Sequence, residues 1–209
     1  MNLRRRKTPD RMPLLVGLAV VVFSAIYFLS DLIELAQGGF STAQLALTLG
    51  AEAAIPIFVV GLYVLQRPQM GRLGLAGTIG YAYSFVFFTG TVVLALATGT
   101  KNWDALVGQM GVWMTIHGVV MVLAGTALGL AVVRARVLPR WTGVTLIAGV
   151  VLIAASSALP DLAQTVSAGV RDLAFVGMGA SLLNGRLRRT VTTPVRLEPP
   201  AVQSERYAS

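Results

Sequence analysis

Arg171 and Asp172 stand side by side in the middle of the last apolar segment, Asp161 to Asn184. A transmembrane helix needs about 20 apolar residues, and this segment reaches that length only by carrying two opposite charges near its centre. On insertion scales each such charge costs roughly 2.5–3.5 kcal/mol at the bilayer midplane. A lone helix in lipid does not tolerate the pair easily. The rest of the chain is therefore expected to fold around it as a bundle that shelters it.

Apolar runs over residues 13–35, 43–65, 73–97, 112–133 and 141–159 precede the last one over 162–184. They predict an all-α, polytopic membrane protein with six transmembrane helices. Composition agrees: of 209 residues, 55% are apolar and only 12% charged, the profile of a membrane protein. Cysteine is absent, which excludes disulfide and thiol chemistry and leaves the redox compartment unread. Three regions follow: a basic cytoplasmic N-terminus (1–12), the six-helix domain (13–184) and a basic, polar tail (185–209) expected to be disordered. Arg4, Arg5, Arg6 and Lys7 ahead of an apolar run resemble the start of a signal peptide. That run continues to Ser30 without a clean small-x-small cleavage site, so it reads as an uncleaved first span.

The net charge of +8 is a matter of placement. Of the 17 Lys and Arg residues, all but Lys101 and Arg171 fall in the two termini, the 66–72 loop and the 134–140 turn. Alternate loops carry the positive charge, so the face bearing both termini is expected to be cytoplasmic. The basic balance thus reads as topology with anionic lipid contact at that face, and not as a nucleic-acid surface. Trp103 and Trp113 near the opposite surface, and Trp141 at the cytoplasmic one, occupy interfacial positions. The connection 98–111 is expected to lie along the interface.

At 1.5 Å per residue, Glu52 lies about 13 Å below the outer surface, with Arg171 and Asp172 at similar depth and His117 shallower. Helical spacing aligns Tyr27, Asp31 and Glu34 on the first helix, and Thr48, Glu52 and Pro56 on the second. On the last helix Gln164, Ser167 and Arg171 share a face, beside Asp161, Thr165 and Asp172. Pro56 cannot donate to the carbonyl of Glu52, so a kink and a bare carbonyl are expected beside the carboxylate. The 141–159 helix brings almost no polar group and is expected at the periphery. Gly125 and Gly129 form a GxxxG pair and Gly177 and Ser181 a small-xxx-small pair, both allowing close helix approach.

Two readings of these groups stand. Asp31, Glu34, Glu52 and Asp172 outnumber Arg171, which favours an outward-facing cavity binding a small polar or cationic ligand, or protons, in a small transporter. Glu52, Arg171, Asp172, His117, Asp31, Glu34 and Gln164 are its candidate residues. The alternative is a scaffold or regulatory subunit in which the same charges form a structural network. An enzyme is disfavoured: the chain has no Walker loop, dinucleotide fingerprint, HExxH or nucleophile elbow. No cofactor is expected. One histidine excludes bis-histidine haem ligation within the chain, and a metal site of His117 with Glu52 and Asp172 has no ligand spacing behind it.

The run Arg134-Ala135-Arg136-Val137-Leu138-Pro139-Arg140-Trp141, with His117-Gly118 in the helix before it, resembles a broad group of small bacterial membrane proteins that carry domains of unknown function. The resemblance implies a six-helix fold over most of the chain and nothing finer; the expected location, from the apolar runs and charge placement, is multi-pass in the inner (plasma) membrane. The resemblance implies no activity, so no functional residue is carried over.

Overall fold

The structure, a computed structural model, describes residues 11–185; the basic residues 1–10 and the tail 186–209 lie outside the described residues. Helices dominate: α1 (Met12–Gln37), α2 (Thr42–Gln66), α3 (Gly71–Thr98), α4 (Trp103–Met110), α5 (Val112–Ala135), α6 (Arg140–Ser156) and α7 (Asp161–Leu183). Their ends follow local chemistry. Pro13 occupies the first turn of α1, where a missing N–H costs nothing. Ser41 Oγ accepts the Gln44 N–H at 3.3 Å and caps α2. Prolines 139 and 160 directly precede α6 and α7. Helix α2 runs unbroken through Pro56, so the Glu52 carbonyl lacks its usual donor.

Six helices close a ring, α1 on α2, α2 on α3, α3 on α5, α5 on α6, α6 on α7, and α7 back on α1. At the end near the 67–70 and 136–139 turns, apolar side chains fill the ring. Phe58 meets Phe175 edge-on at 5.4 Å and Tyr81 lies 5.8 Å from the same ring, with Leu62, Leu128, Leu146 and Met178 buried around them. Backbones nearly touch where glycines face each other: a Cβ on Gly129 would stand 2.7 Å from the Gly143 carbonyl oxygen. Gly125 approaches Val150 on the same helix pair, and Gly177 receives the Trp141 ring. Both small-residue pairs are therefore packing seams.

Helix α4, within the 98–111 connection, folds over the other end and buries Leu106 among Leu45, Val92, Ala95 and Met114. Phe40 N–H donates to the Lys101 carbonyl at 2.7 Å, tying the α1–α2 loop to the α3–α4 link. This tie needs Gly39: its φ is 152°, and a Cβ there would come within 2.6 Å of that carbonyl oxygen.

Two expectations need correction. Helix α6 is no peripheral element, since it packs against both α5 and α7 and a Cβ on Gly149 would meet the Arg171 backbone at 2.6 Å. Few polar groups meant only that its contacts are made by glycine and apolar side chains. It also stops at Ser156, short of residue 159, because Pro160 disfavours helix at the preceding residue. Ser156 and Ser157 hydroxyls donate to the carbonyls of Ile153 and Ala154 there.

Helices α1, α2, α3, α5 and α7 are each long and apolar enough to cross a membrane. The 17 residues of α6 span about 25 Å, less than the roughly 30 Å hydrocarbon layer. Large apolar side chains cover the exterior; Leu15, Ile57 and Leu123 are 63%, 75% and 67% exposed. Such a surface calls for an apolar covering.

Candidate functional site

Opposite the filled core the ring holds a cavity of about 820 Å³. Three helices deliver most of its polar wall, and a fourth adds aromatic rings. Tyr27, Asp31 and Glu34 recur along one face of α1, Gln44, Thr48 and Glu52 along one of α2, and α7 contributes Gln164 and Arg171 from one face with Thr165 beside them, while α3 adds Phe85 and Phe88. The loop residues Gly38, Gly39 and Asn102 and the α4 residues Trp103 and Asp104 form its outer edge.

At the cavity floor three contacts run in series. Arg171 Nε donates to Asp172 Oδ1 at 2.9 Å, and Nη2 lies 2.9 Å from the same oxygen as an ion pair without hydrogen-bond geometry. The guanidinium carbon sits 4.5 Å from the Tyr27 ring centroid and 5.8 Å from that of Phe85, a cation–π arrangement. Tyr27 OH donates to Glu52 Oε1 at 2.7 Å. Glu52 is 5% exposed, and its second oxygen, Oε2, has no hydrogen-bond partner among the described residues. Asp172 Oδ2 is in the same condition. Arg171 thus takes Asp172 as its ion-pair partner and leaves Glu52 to the tyrosine.

Above the floor a polar ladder joins α1 to α2. Gln44 Nε2 donates to Glu34 Oε2 at 3.2 Å and to Thr48 Oγ1 at 3.0 Å. Thr48 Oγ1 lies 3.1 Å from Ser30 Oγ, whose proton goes to the Tyr27 carbonyl at 2.7 Å. Asp31 lines the cavity with no hydrogen bond or ion pair among the described residues. Gln164 lines it too, and its Nε2 donates to the Leu159 carbonyl at 2.9 Å. Ser167 is buried, and its hydroxyl donates to the Ala163 carbonyl one turn earlier at 2.7 Å.

His117 is placed elsewhere. Its ring stacks on Phe87 with centroids 3.6 Å apart, Nε2 meets Tyr83 OH at 3.1 Å, and Nδ1 meets the Trp113 carbonyl at 2.8 Å. Both ring nitrogens are occupied at the α3–α5 seam, so the histidine does not join Glu52. Among the described residues no group of three or more His, Asp or Glu side chains is placed to hold a metal ion. Gln44 and Ser30 are the participants that spacing alone did not single out. Gln44 extends the Thr48–Glu52 stripe by one turn, and that continuation was the signal available.

The wall carries five carboxyl groups, Asp31, Glu34, Glu52, Asp104 and Asp161, against Arg171 alone, and Arg171 already pairs with Asp172. Aromatic faces and apolar side chains such as Leu45, Val92 and Met121 supply the rest. This arrangement can hold a cation by charge, hydrogen bonding and ring faces. The class is an all-helical protein with several helices long and apolar enough to span a membrane, built around an acid-lined cavity. The chain matches no family model, no curated protein and no solved structure.

Proposed function

We propose that the chain is a multi-pass membrane protein that binds a small cationic ligand in this cavity, which faces away from the cytoplasm. The observation carrying the reading is Glu52: a carboxyl group buried at a cavity wall, with one oxygen held by Tyr27 and the other free to receive a donor. Buried polar atoms are normally paired, and an ammonium group would complete this one. The basic loops at Arg67, Arg72, Arg134, Arg136 and Arg140 lie at the end opposite the cavity, while Lys101 lies near the cavity end. The positive-inside tendency then turns the cavity outward, with α6 as the sixth, short span and both termini cytoplasmic in a bacterial inner membrane.

A thermal-shift titration of the purified protein with tetramethylammonium, against sodium and against a neutral isostere, tests the reading. Stabilisation by the ammonium ion that disappears in Glu52→Gln is the expected result; identical response of wild type and variant would remove Glu52 from any site. The scaffold reading rests on the Arg171–Asp172 pair, which closes on itself within α7. It expects no ligand response in wild type and a loss of thermal stability in Glu52→Gln.

A further inference from the structure

The cavity wall is incomplete on the side of α5 and α6. Gly118, Val122, Gly125 and Gly129 form one stripe along α5 at spacings of four, three and four. Lower on the stripe the two helices touch: a Cβ on Gly125 would reach Val150 at 2.8 Å, and one on Gly129 the Gly143 oxygen at 2.7 Å. A Cβ on Gly118 would meet nothing within 4 Å. Helices α5 and α6 therefore part towards the cavity end. Helix α6 ends early, at Ser156, and its final residues Ile153 and Ala154, with Ser157, line the cavity on one side of the gap. Val119 and Leu123 line it on the other, and these two are 53% and 67% exposed. Helical spacing sets them on the side of α5 away from His117, which packs on α3, so this border of the cavity is left uncovered by the bundle.

We propose that this cleft is a lateral portal, through which the cavity takes a single-chain amphiphilic cation from the outer leaflet of the bilayer. The proposal rests on the cation-binding reading above and adds the class of ligand and its route. The head-binding end is acidic, with Asp31, Glu34 and Glu52 around it, and so selects an ammonium group. The cleft is bordered by Val119, Leu123, Ile153 and Ala154, which suits an alkyl chain and offers a hydrated cation nothing. A ligand with its head at Glu52 and its chain between α5 and α6 matches both surfaces at once.

The test uses the full chain in nanodiscs and radiolabelled tetramethylammonium, decyltrimethylammonium and decyl sulfate, each measured above empty nanodiscs. Two variants fill the cleft independently, Gly118→Trp and Ala154→Trp; a Cβ on Gly118 meets nothing within 4 Å and Ala154 is exposed, and size-exclusion chromatography verifies that each variant is folded. Wild type should bind decyltrimethylammonium about tenfold more tightly than tetramethylammonium and should not bind decyl sulfate. Glu52→Gln should weaken both ammonium compounds. The two tryptophan variants should lose the advantage of the decyl chain while binding tetramethylammonium as wild type does. If the decyl advantage survives in both, the chain stays in bulk lipid and the portal is overturned while the cation site stands. Equal binding of decyl sulfate would overturn the ligand class. If neither ammonium compound binds wild type, the cation site itself fails, and the portal with it.

Discussion

Glu52 and Arg171 share a floor, yet each leans on a different neighbour, and substitutions should separate their roles. Arg171→Ala leaves Asp172 buried with no counter-charge. Breaking one side of a buried pair costs about 3–5 kcal/mol, so this variant should melt far below wild type or fail to assemble, as read by thermal denaturation and size exclusion. Tyr27→Phe keeps the ring under the guanidinium but removes the donor to Glu52 Oε1. Its cost should be nearer 1–3 kcal/mol, and cation binding should persist because the carboxyl group is freed, not lost. Tyr81 offers a contrast: its hydroxyl is buried with no partner among the described residues. Tyr81→Phe should therefore leave the melting temperature unchanged or raise it, and a clear drop would reveal a partner for that oxygen. Much of this site was legible as stripes, since Tyr27, Asp31 and Glu34 on one helix and Thr48 and Glu52 on the next fall at helical spacing. Which carboxyl group Arg171 would choose was not legible. That choice depends on the rotation of α7 against α1, and a spacing of one residue to Asp172 carries no facing information.

Helix extents read well from the sequence, helix orientations poorly, and α4 inside the 98–111 connection is not expected as a helix. The apolar runs located the six ring helices to within a few residues, because lipid-length stretches between charged turns leave little choice of register. Helix α5 is apolar nearly all round, and nothing in its sequence says which face turns inward. Depth alone sets His117 near the polar groups, whereas it stacks on Phe87 at the α3–α5 seam. Helix α6 shows the same limit, because a helix poor in polar residues can still make its contacts through glycines and apolar side chains. Gly149 lies so close to α7 that an added Cβ would press on Arg171 Cα and N, backbone atoms that cannot swing aside. Gly149→Ala should therefore shift α6 against α7 at the level of the ion pair, with an overpacking cost of about 1–3 kcal/mol. Gly90, where a Cβ meets nothing within 4 Å, supplies the control: Gly90→Ala should melt like wild type or slightly above it, since helix propensity favours alanine. Equal melting of the two variants would mean that α6 does not press on α7.

For the whole molecule, the proposed orientation turns on α6. Helix α5 ends near Arg134 and Arg136, and α7 begins at Asp161, whose side chain lines the cavity. The chain between them must pass from the basic end of the ring to the cavity end, and α6 is the only helix available to make that passage. Its 17 residues fall about 5 Å short of the hydrocarbon thickness. A bilayer accommodates such a deficit by local thinning or by snorkelling of flanking residues, at fractions of a kcal/mol per Å. Arg140 in its first turn and Trp141 beside it, 48% exposed, are suited to that interface. Reporter fusions after residues 67 and 137 should accordingly report a cytoplasmic location, and fusions near 39, 104 and 160 the opposite side. The fusion at 160 is the decisive one, because it alone asks whether α6 crosses. A cytoplasmic signal there, with 104 still outside, would leave five spans and put the two termini on opposite faces. The ring closure between α1 and α7 would then have to form between helices running in the same direction, and α6 would lie outside the bilayer instead of against Arg171. An external signal at 160 combined with a cytoplasmic one at 137 places α6 across the membrane, with the acid-lined cavity and its lateral cleft at the outer leaflet.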